Sequence, residues 1–308
     1  MLEPTITVAI CTHNPRWDVF SRVLEALRNQ SLSRDKWDLL VVDNASDEPI
    51  QASTFSWNER LRVVREPVLG LTPARLTAIR GANTELLIFV DDDNLLCPEY
   101  LENAQRIARD WPTLGAWGGS ITAHYEEAPP AWLKSYERFL SVREVAHDEW
   151  FNIAQPEFYG HLPYGAGLCV RRTVAEAYLH LAEADEVRRL FDRKGESLAS
   201  SGDTDLALVS CDLGFGTGLF TSLKLIHVIP ERRLTETYIA QLLRGMNYSL
   251  RLLIAKRGHT LSRSSWLRRS LDSVAALRRG RREFSFHRAA MKGRRIADAE
   301  IRQWTQRH

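Results

Sequence analysis

The sequence has few cysteines and none at metal-ligand spacing. Its four cysteines, Cys11, Cys97, Cys169 and Cys211, are widely scattered and form no CxxC motif, which excludes a cysteine-ligated metal site. Each lies in or beside an apolar segment. We therefore expect buried free thiols in a reducing compartment.

The chain also lacks the features of an exported or membrane-spanning protein. Its first ten residues, MLEPTITVAI, contain neither the basic start nor the apolar segment of a signal peptide. No uninterrupted apolar run approaches the roughly 18 residues that a membrane-spanning helix needs. We expect a cytoplasmic protein that is soluble or peripheral on the inner face of a membrane.

The net charge of +2 conceals an uneven distribution. From Arg251 to the end, 16 Lys and Arg face 4 Asp and Glu, a net charge of +12. The first 250 residues therefore carry a net charge of −10. This asymmetry indicates two regions with different surroundings.

Strand and helix patterns alternate along the first 115 residues. Apolar, β-branched segments predict four strands, and helical spacing or capping residues predict two helices between them. The predicted strands are Thr5–Cys11, Leu39–Val42, Leu61–Val64 and Leu86–Val90, and the predicted helices are Trp17–Asn29 and Thr72–Gly81, the latter capped by Thr72. Strands that are apolar throughout favour a parallel sheet covered by helices on both faces.

The remainder of the chain is less regular. We predict strands at Leu114–Ile121 and Lys224–Ile229, a helix at Lys134–Asp148 and another that begins near Arg172. A helical stripe of apolar residues then runs from Tyr238 to Ile254.

Polar residues follow three of the predicted strands. They are Thr12, His13 and Asn14 after the first strand, Asp43 and Asn44 after the second, and Asp91, Asp92 and Asp93 after the fourth. Ligands of parallel sheets bind at the carboxyl ends of the strands. Asp91 and Asp93 point the same way and could hold Mg²⁺ together with substrate phosphates, the alternative being a solvated acidic loop. Asp43 could accept a hydrogen bond from a nucleotide base or simply form an Asx turn.

Five motifs, in this order, resemble the inverting family-two glycosyltransferases of the GT-A fold: TVAICTHNP, VVDNASD, GLTPARLTAIRGANTELLIFVDDDN, GAGLCVRR and SGDTDLAL. The resemblance covers about Thr5 to Thr235. It implies an α/β fold with a mostly parallel sheet flanked by helices. Residues 1–115 would form a Rossmann-like nucleotide-sugar-binding half and residues 116–235 an acceptor-binding half. A helical, basic C-terminal extension would occupy residues 236–308.

The resemblance also implies where the donor and its metal ion bind. Asp91 and Asp93 would hold Mn²⁺ or Mg²⁺, with His227 as a third ligand or phosphate contact, unless His227 is only a half-buried strand histidine. Asp43 would contact the base. Arg75 and the turn of Thr12, His13 and Asn14 would line the nucleotide site. From their positions in the sequence we also expect Asn44, Asp92 and Arg232 to bind the nucleotide-sugar, and Arg232 and Arg233 could hold the diphosphate leaving group.

The family's catalytic base usually stands in a GlyGluAsp-like element that opens a helix. The matching residues here run from Ser201 to Asp205, with Gly202 in place of the usual acidic neighbour. Asp203 and Asp205 are both candidates for the base, and Asp203 could alternatively be only a helix N-cap. A sugar or acceptor could approach closely along the segment Tyr164, Gly165, Ala166 and Gly167, because it contains small residues. The alternative is that this segment forms only a kinked strand.

We therefore expect an inverting, metal-dependent glycosyltransferase in polysaccharide or cell-surface glycan synthesis, with a UDP-sugar as donor and a glycan or lipid-linked acceptor. A nucleotidyltransferase is one alternative, although CTHNPRW lacks the glycines of a phosphate loop. A non-catalytic scaffold protein is another. The basic C-terminal segment could bind an anionic membrane surface or form a solvated face, and we expect no nucleic-acid binding. Its apolar membrane anchors would be Trp266, Leu267, Leu271, Val274 and Trp304.

Overall fold

The computed structural model describes residues 5–55, 57, 60–261 and 266–307. The described residues contain one sheet of nine strands, in the order β3-β2-β1-β4-β8-β6-β9-β5, with β7 paired to β9. The strands are β1 Ile6–Thr12, β2 Trp37–Asn44, β3 Leu61–Glu66, β4 Leu86–Val90, β5 Asn94–Leu96, β6 Leu114–Tyr125, β7 Glu149–Phe151, β8 Cys169–Arg171 and β9 Gly216–Ile229.

Helices cover this sheet and continue beyond it. The α-helices are α1 Trp17–Arg28, α2 Leu71–Gly81, α3 Tyr100–Asp110, α4 Arg172–Ala184, α5 Gly202–Asp212, α6 Glu236–Lys256, α7 Trp266–Arg279 and α8 Arg281–Arg307. Short 3₁₀ helices lie at Arg34–Lys36, Ala52–Phe55, Ala131–Leu140, Pro156–His161, Glu186–Leu190 and Glu231–Leu234.

The first four strands are parallel, as the alternating pattern predicted. β1 lies between β2 and β4, and β3 extends the sheet beyond β2. Side chains on both faces of β1, β2 and β4 are buried, including Ile10, Val42 and Val90, because α1 and α2 lie on opposite faces. The register pairs Thr12 with Asp43, so the polar residues after β1 and β2 meet at one edge.

The other half of the sheet is mixed. β8 is antiparallel to β4 and β6, whereas β9 runs parallel to β6. Directly after the three aspartates, β5 pairs antiparallel with β9 and aligns Asn94 with His227. This pairing brings two residues 133 positions apart in the chain beside the acidic turn.

Two predicted helices differ from the structure. α2 begins at Leu71 with Gly70 as its N-cap, and the Thr72 hydroxyl donates to Asp192 instead of capping the helix. The predicted helix at Lys134–Asp148 is a 3₁₀ helix that ends at Leu140. Ser141 adopts a left-handed conformation (φ +59°), and Arg143 then pairs with Ile121 of β6, so the helix cannot continue.

The C-terminal helices share the hydrophobic core of the sheet. Leu252 and Leu253 of α6 and Ala297 of α8 belong to the cluster that includes Leu206 and Val209 of α5. α6 and α8 approach closely at Gly293, where an added methyl group would lie 2.1 Å from the Arg244 carbonyl oxygen. Helices α6 and α8 of the predicted helical C-terminal segment therefore pack against the core of the sheet. No helix among the described residues is long and apolar enough to cross a bilayer.

Candidate functional site

A cleft of about 600 Å³ opens at the carboxyl ends of β1, β2 and β4. The structure brings together there most of the predicted residues, namely Thr12, His13, Asn44, Arg75, Asp91, Asp92, Asp93, Gly165, Ala166, Asp203, His227 and Arg232. It does not place at the cleft wall the predicted residues Asn14, Asp43, Tyr164, Gly167 and Asp205. One cavity thus collects side chains from strand ends and from the starts of α2 and α5.

The three aspartates after β4 have different surroundings. Asp92 accepts a hydrogen bond from the Thr12 hydroxyl. Asp93 lies 3.0 Å from an Arg233 nitrogen and 3.5 Å from Nε2 of His227. Within the described part of the chain, the Asp91 carboxylate has neither a hydrogen bond nor an ion pair. The site therefore holds one carboxylate that is free to take a ligand.

The pKa values of the three carboxyl groups follow these contacts. Burial and the neighbouring Asp93 raise the pKa of Asp91, and the same two causes raise the pKa of Asp92 to about 6. Burial would also raise the pKa of Asp93, but Arg233 and His227 hold it far below its usual range. Burial and the repulsion between neighbouring carboxylates disfavour the charged forms of Asp91 and Asp92, and a bound cation would offset both effects.

His227 is oriented by its neighbours. Its Nδ1 lies 3.0 Å from the Leu140 carbonyl oxygen, and its Nε2 lies 3.0 Å from an Arg233 nitrogen. A carbonyl oxygen only accepts, so Nδ1 of His227 donates to Leu140. The structure corrects the expectation of a half-buried histidine: His227 is buried, with Nε2 facing Asp93.

These side chains fit a hard divalent cation in their chemistry. Mg²⁺ and Mn²⁺ prefer oxygen ligands, and Mg²⁺ commonly takes one or two carboxylates plus substrate phosphates. No three His, Cys, Asp or Glu side chains of the described residues converge as a ready metal site. Asp91 and Asp93 still satisfy the smaller set of protein ligands that a metal shared with a diphosphate requires.

The residues after β1 and β2 form a rigid rim. The imidazole of His13 is hydrogen-bonded to the Asn44 carbonyl oxygen at 2.8 Å. The Asn44 side chain accepts from the Gly70 amide and donates to the Val68 carbonyl, which fixes the approach to α2. Asn44 thus positions the loop between β3 and α2.

Asp43 lies behind this rim and is 1% exposed. It accepts hydrogen bonds from the Ser46 and Ile50 amides and pairs with Arg65 at 2.7 Å. Burial opposes ionisation, but these contacts hold the pKa of Asp43 below its usual value. The carboxylate completes an Asx-type turn, the alternative that the sequence left open. Asn14 stands farther out, hydrogen-bonded to Asp47.

Asp203 projects into the cleft from the first turn of α5. Its Oδ2 accepts from the Gly165 amide at 2.7 Å, and its Oδ1 accepts from the Thr204 amide at 2.8 Å. The N-cap of α5 is Ser201, so Asp203 is not the capping residue. Burial raises the pKa of Asp203, Arg75 opposes this rise, and Asp192 adds to it. A carboxylate with a raised pKa is a stronger proton acceptor.

Asp205 faces away from the cleft. Its side chain is fully buried, pairs with Arg188 and lies 3.7 Å from Nε of Arg257. Two helical residues with one residue between them project from nearly opposite faces. The structure therefore distinguishes two carboxylates that the sequence left interchangeable.

In the segment from Tyr164 to Gly167, two residues line the cleft and two do not. Gly165 and Ala166 line the cleft, whereas Tyr164 lies under the Arg143 guanidinium, 3.6 Å from its ring centroid. Gly167 has φ +73°, and its carbonyl accepts a hydrogen bond from the Tyr100 hydroxyl at 2.6 Å. Glycine at residue 167 leaves room for Tyr100 and Leu225 in the core. Glycine at residue 165 leaves room for Arg75 and Asp203 at the cleft.

Sequence reasoning missed the loop that precedes α5. Asp192, Arg193 and Lys194 line the cleft, although no strand ends there. The basic pair next to Gly195 was the only signal of a charged turn. Arg193 and Lys194 line the same cleft as the acidic turn, together with Arg232 and Arg233.

Comparisons with known proteins identify the family and the fold. The model of the family described as Glycosyl transferase family 2 matches residues 7–171, more than half of the chain. EpsH of Bacillus subtilis (strain 168), whose name is that of a glycosyltransferase, is 28% identical over 114 residues, which are 36% of this chain and 32% of the relative. An N-acetylglucosaminyltransferase of Rhizobium sp. (strain N33) is 24% identical over 260 residues, 81% of this chain and 54% of the relative.

The chain thus spans about a third and about half of the lengths of these two relatives. A solved structure, the mannosyltransferase PcManGT from Pyrobaculum calidifontis in complex with GDP-Man and Mn²⁺, is similar over 96% of this chain and 88% of its own. Its TM-score is 0.58 at 17% sequence identity, a likeness of fold. From the matched family model, the chain belongs to glycosyltransferase family 2, and it has the GT-A fold.

Proposed function

We propose that the protein transfers a sugar from a nucleotide-diphospho-sugar to an acceptor hydroxyl with inversion, and that Asp203 is the general base. The observation that carries this proposal is the placement of Asp203. Its partly buried carboxylate faces the same cleft as the acidic turn at Asp91–Asp93 and the basic residues around it. Donor, leaving group and acceptor can therefore meet in one cavity.

The reaction is a single displacement at the anomeric carbon. The acceptor hydroxyl gives its proton to Asp203, its oxygen bonds to the anomeric carbon, and the bond to the diphosphate breaks. The Gly165 and Thr204 amides each donate to one oxygen of Asp203 and fix its orientation. Attack from the side opposite the leaving group inverts the configuration.

Asp91 and Asp93, with His227, would hold Mn²⁺ or Mg²⁺, which neutralises charge on the diphosphate. The protein's own cations act on the same leaving group. Arg193, Lys194 and Arg232 line the cleft and provide positive charge where negative charge develops. Mn²⁺ in the similar PcManGT structure supports metal use.

The nucleotide is tested by thermal unfolding with UDP, GDP, dTDP, CDP and CMP, each with and without Mn²⁺. A ligand that binds the native state raises its stability by mass action. We expect one nucleoside diphosphate to raise Tm, and only when Mn²⁺ is present. UDP is the nucleotide expected from the sequence, and GDP is the one suggested by the PcManGT complex. Asp93→Ala should abolish the shift. No shift with any nucleotide on the folded protein would contradict the proposal.

Inversion is tested by following donor hydrolysis or transfer by ¹H NMR. We expect the first product to carry the anomeric configuration opposite to that of the donor. Retention of configuration would contradict a single displacement with Asp203 as base. Either result identifies the reaction class before the natural acceptor is known.

We further propose that α7 contacts an anionic membrane and that the acceptor is a lipid-linked glycan in polysaccharide or cell-surface glycan synthesis. Leu271, Val274 and Leu277 form an exposed stripe with helical spacing, 69%, 47% and 55% exposed. Exposed Arg278 and Arg279 follow this stripe. A basic helix with an apolar face is suited to an anionic lipid surface. Trp304 packs against the core, and the side chains of Trp266 and Leu267 lie outside the described residues.

A further inference from the structure

A carboxylate from another segment fills the space beside the proposed base. Asp192 lies in the loop before α5 and is 4% exposed. A methyl group built on Gly202 would lie 2.1 Å from Oδ2 and 2.3 Å from Cγ of Asp192. The Asp192 carboxylate therefore occupies the place that a side chain at residue 202, the neighbour of Asp203, would take.

The contact with Asp192 explains why residue 202 is glycine. Gly202 is the first residue of α5, and its backbone is helical, a conformation open to every residue. The three atoms nearest to the added methyl group all belong to the Asp192 carboxylate. The backbone conformation at residue 202 does not require glycine. The position of the Asp192 carboxylate does require it.

Asp192 in turn holds a buried arginine. Nη1 of Arg75 donates to both oxygens of Asp192, at 3.2 and 3.0 Å, and the Thr72 hydroxyl donates to Oδ2 at 3.0 Å. A methyl group on Gly165 would lie 2.6 Å from Nη2 of Arg75 and 3.3 Å from Oδ2 of Asp203. The Arg75 guanidinium thus stands between two carboxylates, bonded to one and facing the other.

We propose that Asp192 is a positioning residue for Asp203: it fixes Arg75 and supplies the acidic neighbour for which Gly202 leaves room. This inference rests on the proposed role of Asp203 as base. Arg75 hydrogen-bonds to Asp192 through Nη1, and its charge and that of Asp192 have opposite effects on the pKa of Asp203. With its Nη1 committed to Asp192, Arg75 leaves the oxygens of Asp203 free to accept a proton.

Loss of the Asp192 charge has a predictable effect on Asp203. The charged groups that face Asp203 are Arg75 and Asp192, and the amides of Gly165 and Thr204 complete its surroundings. Asp192 raises the pKa of Asp203, and Arg75 lowers it. Without the negative charge of Asp192, the pKa of Asp203 falls and the carboxylate becomes a weaker base.

The first experiment is a double-mutant cycle with Gly202→Ala, Asp192→Ala and the double variant. We expect each single change to lower kcat by about tenfold or more. Gly202→Ala should change kcat by less than about twofold when Asp192 is already Ala, because the carboxylate that it displaces is gone. Gly202→Asp in the Asp192→Ala background should restore part of kcat by returning a carboxylate to the same place.

Two further readouts separate positioning from simple packing. In Asp192→Asn, the acidic limb of the pH profile of kcat/KM should move to lower pH. In thermal unfolding, Gly202→Ala should lower Tm more in the wild type than in Asp192→Ala, a result that needs no activity. Asp38→Asn is the matched control, since Asp38 is a buried carboxylate paired with Arg62 at 3.1 Å outside the cleft. It should lower Tm without moving the pH profile.

The inference and the proposed function fail in different ways. Additive effects in the cycle with an unmoved pH profile, in an active wild type, would reduce Asp192 to a packing residue. A fully active Asp203→Asn variant would overturn the proposed base. In that case the coupling between Gly202 and Asp192 in thermal unfolding would remain measurable.

Discussion

At the scale of single residues, two carboxylates on one helix have opposite expected roles. Asp203 faces the cleft with hydrogen bonds from two amides, and Asp205 is buried between Arg188 and Arg257. Asp205 compensates buried arginine charge, whereas a carboxylate in the cleft can exchange protons with a substrate. Substitution to asparagine tests both roles without changing side-chain shape.

We expect Asp203→Asn to lower kcat by about 10²–10⁴-fold, the usual contribution of a general base. Nucleotide-dependent stabilisation should persist, since the metal and diphosphate contacts remain. The matched variant Asp205→Asn should lower the free energy of unfolding by about 1–3 kcal/mol, because it removes the nearest acidic partner of Arg188, which keeps only the Asp185 contact at 3.8 Å. The two variants are compared by kinetics and by urea unfolding. Equal losses of kcat per folded molecule would contradict the distinction.

Arg233 is a second test at the residue scale. Its guanidinium contacts both Asp93 and His227, the side chains proposed to hold the metal ion. A bound arginine must compete with a cation for the same lone pairs. We expect Arg233→Ala to tighten binding of Mn²⁺ alone by about tenfold, or 1.4 kcal/mol, in calorimetry. Arg232→Ala, which lacks these contacts, is the control, and unchanged Mn²⁺ affinity in Arg233→Ala would contradict the competition.

At the scale of secondary-structure elements, the end of β2 depends on an ionised Asp43. Its folded-state pKa is depressed, so its contribution to stability is present above the unfolded pKa of about 3.9 and is lost as pH falls through the folded value. We expect Asp43→Asn to lower the free energy of unfolding at pH 7 by about 1–3 kcal/mol. The deficit should shrink below pH about 4 in denaturant titrations. A deficit that is constant with pH would show that charge is not its cause.

The close approach of α6 and α8 gives a second prediction at this scale. An added methyl group at Gly293 would lie 2.1 Å from the Arg244 carbonyl, which belongs to the backbone and cannot move aside easily. We expect Gly293→Ala to lower the free energy of unfolding by about 1–3 kcal/mol. Gly160→Ala, with no atom within 4 Å of the added methyl group, should change stability little. Thermal unfolding compares the two, and equal Tm values would contradict the close packing.

The secondary structure also shows where sequence patterns succeed. β1, β4 and α1 were predicted to within one residue at each end, because each is an apolar or amphipathic segment bounded by polar turns. β2 was predicted two residues short at each end and β3 two residues short at its end. The helix predicted through residue 148 ended early at Ser141, since pairing of Arg143 with Ile121 satisfies backbone groups across the sheet. β9 is eight residues longer than predicted because β5, β6 and β7 all pair with it.

At the scale of the whole molecule, the charge asymmetry separates an acidic sheet domain from basic C-terminal helices. We expect the protein to sediment with vesicles that contain anionic phosphatidylglycerol and to stay in solution with neutral phosphatidylcholine. Replacing Leu271 and Leu277 by Glu should abolish sedimentation while Tm stays within about 2 °C, since both side chains are exposed. Sedimentation that is equal for the two vesicles, or unaffected by the substitutions, would contradict membrane contact through α7.

The sequence by itself determined the parallel half of the sheet and the acidic turn. Strands that are apolar on both faces must be covered by helices, and parallel strands place their carboxyl ends at one edge. Local spacing was therefore enough to gather Thr12, Asn44 and Asp91 at that edge.

Only the tertiary structure decided which carboxylates face the cleft. Asp203 and Asp205 share a local sequence, and their difference arises from contacts with Gly165 on one side and Arg188 on the other. Asp192 reaches the site from a loop with no strand beside it, and Arg75 reaches it from α2. Such contacts depend on how separate elements pack in space, and no spacing along the chain records that packing.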